Sequence, residues 1–70
     1  MSEAPTPVPV HWRRVAEEVC TTLELDALVL HIDHGMGYER VGLVLGISRS
    51  AARDRIRNGA RKMNAHVDEQ

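Results

Sequence analysis

Six cations in one short segment raise the first chemical question. Arg49, Arg53, Arg55, Arg57, Arg61 and Lys62 lie between Ser48 and Met63 with Asp54 as the only acid among them, out of nine Lys and Arg in the whole chain. A guanidinium is permanently charged and offers a planar fork of donors, so such a cluster suits phosphates or carboxylates better than bond-breaking chemistry. The bland alternative is a solvated helix face. The rest of the chain leans the other way, with three basic residues (Arg13, Arg14, Arg40) against seven acidic ones in residues 1–47, and the formal net charge is -1.

Other chemistries are poorly supplied. His31, Asp33 and His34 fall within one turn, but zinc takes three or four converging ligands, and only the distant His11, Cys20 and His66 are left to complete a set. No metal is expected, and His34 near a helix C-terminus suits the dipole there. The lone Cys20 cannot form an internal disulfide, which fits a reducing cytosol. No serine or cysteine has a base and an orienting partner at a readable spacing, and no glycine-rich phosphate loop appears. The expectation is a protein that is not an enzyme and has no cofactor.

Helices must position the cluster. Pro5, Pro7 and Pro9 alternate with Thr and Val, which reads as an extended arm. Trp12, Val15, Ala16 and Val19 then recur at helical spacing and make a first amphipathic helix. Thr21 and Glu24 fit a capping box ahead of a second helix with the stripe Leu25, Leu28, Val29 and Ile32, ended by Gly35; a break at Thr21 and a continuous helix both remain open. In the next run, Gly37 to Leu45, the spacing turns Val41, Val44 and Leu45 inward. Gly46 breaks that helix, Ile47 plugs the junction and Ser48 caps the last helix. There Ala52, Ile56, Gly59 and Met63 share one narrow stripe, while Arg53, Arg57 and Arg61 are i, i+4 neighbours on the other side with Ser50 and Asp54 beside them.

Two short helices joined by Gly-Ile-Ser, the second basic and capped, have the layout of a helix-turn-helix. Gly46 can take the left-handed conformation of a tight turn, and Gly42 is small enough for a close approach. Residues 20–63 resemble region 4 of bacterial sigma factors, above all the short extracytoplasmic-function type, and the related sigma-70-like helix-turn-helix regulators. The resemblance is carried by Thr21, Asp26 to Leu30, Gly35, Tyr38-Glu39, Val41-Gly42, Leu45-Gly46-Ile47-Ser48 and the Arg-rich helix with Ile56, Gly59 and Met63. It implies that Arg49, Ser50, Ala51, Arg53 and Asp54 face a DNA major groove, that Arg57 and Arg61 meet phosphates, and that Gly37, Tyr38 and Arg40 contact the backbone. The chain departs from the family at Ala52 and Gly42, which stand for a larger aliphatic residue and an alanine. It departs again at Gly59, which stands for an alanine at a cost of about 1 kcal/mol. Region 2 is missing, so a complete promoter-melting sigma factor is not expected.

Length and composition bound the rest. Seventy residues suffice for one small domain, and with 43% hydrophobic but only 3% aromatic residues its core must be aliphatic. No apolar run approaches the ~18 residues of a membrane span, and no signal peptide is read at the N-terminus. The expected architecture is all-α, four short helices built on a helix-turn-helix. A flexible Pro-rich arm covers residues 1–10, the domain 11–66 with its motif at 37–63, and a tail 67–70. The expected function is a small cytoplasmic transcriptional regulator, phage or bacterial, that binds double-stranded DNA without membrane association. It is expected to work as a homodimer or with a partner that places two such helices one DNA turn apart, with Trp12, Val15 and Val19 at the interface. The rival reading is a protein-binding module for RNA polymerase or a regulatory sigma or anti-sigma partner.

Overall fold

The computed structural model describes residues 6–68, and over these the chain forms four helices and no strand. Helix α1 is Trp12–Val19, α2 is Thr22–Leu28 and runs on into a π-helical turn at Val29–Asp33, α3 is Tyr38–Leu45, and α4 is Arg49–Asp68. The first two helices are separate. Cys20 and Thr21 are both extended, and Thr21 starts α2 through the full capping box: its hydroxyl accepts from the Glu24 amide at 3.2 Å, and the Glu24 carboxylate accepts from the Thr21 amide at 2.9 Å. Two otherwise orphaned donors are satisfied at once, which makes the break local and decisive.

Both expected glycine stops are present. Gly35 and Gly46 have φ of 66° and 73°, the left-handed region that a side chain disfavours. After α3 the Ile47 amide donates back to the Gly42 carbonyl at 2.9 Å, the wide closure that accompanies a left-handed residue after a helix. After the π turn the Met36 amide reaches the Leu30 carbonyl at 3.2 Å, one residue further back, in keeping with the wider winding. Ser48 then caps α4, its hydroxyl accepting from the Ala51 amide at 3.0 Å.

Helix α4 is the axle. Each of α1, α2 and α3 packs against it, and its stripe of Ala52, Ile56, Gly59, Ala60 and Met63 is buried as the spacing predicts, with Ala60 in addition. Around it lie Ala16, Ala27, Leu28 and Val41. Burying a side chain such as Leu28, Ile56 or Met63 stabilises by roughly 1.5–3 kcal/mol each. The helices come close because so much of the core is small: a Cβ on Gly59 would stand 2.8 Å from Leu28 Cδ1. Gly42 is tight for a different reason. Its absent Cβ faces the turn itself, 2.7 Å from the Ile47 carbonyl oxygen.

Some expectations need correction or relocation. Val44 does not face inward; it is 55% exposed beside Leu43 at 78%. At about 100° per residue, Tyr38, Val41, Gly42 and Leu45 define the buried arc of α3, and Val44 lies about a third of a turn from the centre of that arc. His31 is buried, with 8% exposure, and its Nδ1 donates to the Met36 carbonyl at 2.7 Å. Trp12, Val15 and Val19 are half-buried and pack on the core of their own chain. The arm from Thr6 to Val10 also touches the domain: Val8 packs on the core, the Asn64 side-chain Nδ2 donates to the Pro7 carbonyl at 3.3 Å, and Thr6 Oγ1 lies 3.2 Å from Tyr38 Oη. The rest of the arm, residues 1–5, and tail residues 69 and 70 lie outside the described residues, while residues 67 and 68 complete α4.

Candidate nucleic-acid interface

Helix α4 carries the cationic residues on two flanks of its buried stripe. On one flank Arg57 and Arg61 are exposed and Arg53 half-buried, spaced i, i+4, which sets their origins about 6 Å apart along the axis. Arg61 is braced by its own helix, Nη2 donating to Asn58 Oδ1 at 2.9 Å. The Arg53 head is 40% exposed and lies 3.7 Å from Asp54 Oδ1, too far for a hydrogen bond, and its Nε is out of contact with solvent and has no hydrogen-bond partner. The terminal nitrogens of that fork remain the part that can reach a ligand.

The first turn of α4 is presented by the turn before it. Arg49 and Ser50 are exposed, Asp54 is exposed one turn on, and Ala51 is half-buried with its amide satisfied by Ser48. Arg49 is not isolated: its guanidinium carbon stands 5.6 Å from the centroid of the Tyr38 ring, within cation–π range. Tyr38 opens α3 half-buried, stacked on His31 at 5.3 Å between centroids and 30° between planes. Arg40, exposed on α3, and the Gly37–Tyr38 start of that helix lie on the same two-helix unit.

On the other flank Lys62 has a structural role. Its ammonium donates to both Glu24 oxygens, at 2.8 and 3.0 Å, tying the start of α2 to α4 across thirty-eight residues of chain. Burial alone would raise the Glu24 pKa. Hydrogen bonds from Lys62 and Thr21, with the Lys62 charge, outweigh that and hold the carboxyl below its ordinary 4.5. Cys20, half-buried beside them with Sγ 3.6 Å from the Gly59 carbonyl oxygen, goes the other way. Burial first, then the Glu24 charge, pushes the thiol above its ordinary 9.0 against a partial pull from Lys62. A thiol so placed is protonated at neutral pH and a poor nucleophile.

The metal-like trio does not assemble. His31 is inside, Asp33 pairs with Arg13 of α1, and His34 is exposed; among the described residues no group of three His, Cys, Asp or Glu can hold an ion. Nor is any described helix long and apolar enough to cross a membrane. The structure thus brings Arg53, Arg57 and Arg61 to one flank and Arg49 to Tyr38, and it leaves Trp12, Val15 and Val19 in intramolecular contacts. Sequence reasoning missed the Arg49–Tyr38 contact, the Glu24–Lys62 pair and the exposed Leu43–Val44 pair. The first two join residues too far apart for helical periodicity to relate. Comparison with protein-family models, with curated proteins and with solved structures yields no match.

Proposed function

We propose that this chain is a small double-stranded-DNA-binding transcriptional regulator in which α3, the Gly46–Ser48 turn and α4 act as a helix-turn-helix of the sigma region 4 kind. The observation that carries the reading is the flank of Arg53, Arg57 and Arg61 on a long helix whose other side is committed to the core. A straight helix fits a major groove about 12 Å wide, and a guanidinium can pair with guanine O6 and N7 there. Arg49, Ser50, Ala51, Arg53 and Asp54 occupy the turns that would enter the groove. Arg57, Arg61 and Arg40 would meet phosphates and supply most of the affinity.

The test is a fluorescence-anisotropy titration of a mixed-sequence duplex at several salt concentrations, with the double variant Arg53→Ala/Arg57→Ala beside the wild type. Affinity that falls steeply with salt and is lost in the variant supports the proposal. No binding at low salt by folded protein sinks it. The second reading, a protein-binding module for polymerase or a regulatory partner, is favoured by Leu43 and Val44, two large apolar residues exposed side by side on α3. Homodimerisation through Trp12, Val15 and Val19 would have to use what these half-buried side chains leave exposed, and sedimentation equilibrium checks it.

A further inference from the structure

Tyr38 begins α3 and Arg49 begins α4, and the two side chains meet across the turn that joins those helices, guanidinium carbon to ring centroid 5.6 Å. The ring is held from two other directions. Its plane stacks on His31, which is 8% exposed and fixed by its own bond to the Met36 carbonyl. Its hydroxyl lies 3.2 Å from the Thr6 hydroxyl, so the arm reaches the same residue. A tyrosine with its hydroxyl engaged and its ring stacked makes a poor phosphate ligand and a good shelf. An arginine at the first position of a helix has a long side chain with many rotamers, and a shelf that preselects among them lowers the ordering cost of binding.

We infer that Tyr38 is a positioning residue: it holds the Arg49 guanidinium at the entrance of α4 for contact with DNA and does not itself touch the nucleic acid, while the stack on His31 fixes the ring. This rests on the reading of α4 as the helix that docks on DNA, and it replaces the phosphate contact that the family resemblance implies for Tyr38.

The experiment compares wild type, Tyr38→Phe, Tyr38→Leu, Arg49→Ala and the double variant Tyr38→Leu/Arg49→Ala, each with its fold checked by circular dichroism. The probe is a labelled mixed-sequence duplex of about two helical turns. Tyr38→Phe keeps the ring and is expected to bind like wild type with the same salt slope. Tyr38→Leu removes the shelf and is expected to weaken binding about two- to fivefold, the worth of an exposed cation–π contact. On the Arg49→Ala background the Leu substitution is expected to add nothing. Without DNA, the Arg49 Nε–H proton resonance should be shifted upfield by the ring in wild type and in Tyr38→Phe, and should return on Tyr38→Leu. Should the Leu variant fail to fold, the resonance and the binding of Tyr38→Phe carry the test.

Weaker binding with a shallower salt slope in Tyr38→Phe would overturn the inference, because the hydroxyl would then be a phosphate ligand. Tighter binding by Tyr38→Leu would overturn it too, since the stack would be withholding Arg49. So would an Arg49 resonance unaffected by the ring, or a Leu penalty that persists in Arg49→Ala. If folded wild type leaves the duplex unbound, the DNA-binding proposal fails and takes the inference with it; if wild type binds and the Phe variant does not, only the inference fails.

Discussion

Replacing Gly42 with alanine should destabilise this protein although alanine is the better helix former. In an unobstructed helix the change would gain about 1 kcal/mol. Here the new methyl would stand 2.7 Å from the Ile47 carbonyl oxygen, 3.1 Å from that of Ser48 and 3.2 Å from the Ser48 carbonyl carbon. All three are backbone atoms, so no rotamer change relieves the clash. The turn must move, and with it the Ile47 amide bond to the Gly42 carbonyl and the Ser48 cap of α4. Overpacking costs typically about 1–3 kcal/mol, and with rigid neighbours the upper half of that range applies. The net loss expected is about 1–2 kcal/mol, a fall in Tm of about 4–16 °C for a domain of this size. Urea and thermal unfolding followed by far-ultraviolet circular dichroism measure it. Gly46→Ala is the companion: nothing lies within 4 Å of its Cβ, but φ is 73°, so it should lose about 1 kcal/mol through conformation alone. An unchanged or raised midpoint for Gly42→Ala would refute the steric account.

Further outcomes can be measured on the same apparatus. Since the Glu24 carboxyl is held below its ordinary 4.5, the unfolded chain binds its proton more readily than the folded one. Its contribution to stability is therefore fully present above that value and is lost as pH falls through the lower folded pKa; Glu24→Gln should flatten the acid limb of a stability–pH curve. Lys62→Met should cost about 1–2 kcal/mol in urea midpoint experiments, less than a fully buried pair would, because the ammonium side is 40% exposed. Ser48→Ala should cost about 1 kcal/mol through loss of the α4 cap, read from the same unfolding curves. The Cys20 thiol, raised by burial, should react slowly with a disulfide reagent at neutral pH and become reactive in the same urea range in which helicity is lost.

What could be read from the sequence was what depends on neighbours within a few residues. The Thr21–Glu24 box, the Gly46 stop, the Ser48 cap and the buried stripe Ala52, Ile56, Gly59 and Met63 are all local patterns with a direct physical meaning. Val44 was misread because an eight-residue helix with apolar residues at Val41, Leu43, Val44 and Leu45 admits more than one inward arc. The small Gly42, which faces the turn backbone, in fact sets the arc. His31 is buried because it keeps ordinary helical spacing with Glu24, Ala27 and Leu28, a stripe one residue out of phase with the expected Leu25, Leu28, Val29 and Ile32, of which only Leu28 is fully buried. The Glu24–Lys62 and Thr6–Tyr38 contacts join segments that only the finished fold brings together. Of the candidate interface, the arginine flank was legible and the placement of Arg49 on Tyr38 was not.

The axle arrangement has an evolutionary consequence. Because α4 carries the core stripe and the arginine flank on one uninterrupted helix, the phase between them is set by residue count alone. Inserting or deleting one residue near Asn58 would rotate everything beyond it by about 100°. Met63 would swing out of the core and the Glu24–Lys62 tie would break, while Arg61 moved off its row. The flank can therefore change its letters freely, and with them any preference for a partner, while the length of this helix stays frozen. Innovation in such a protein should accumulate as substitutions along the exposed flank of α4.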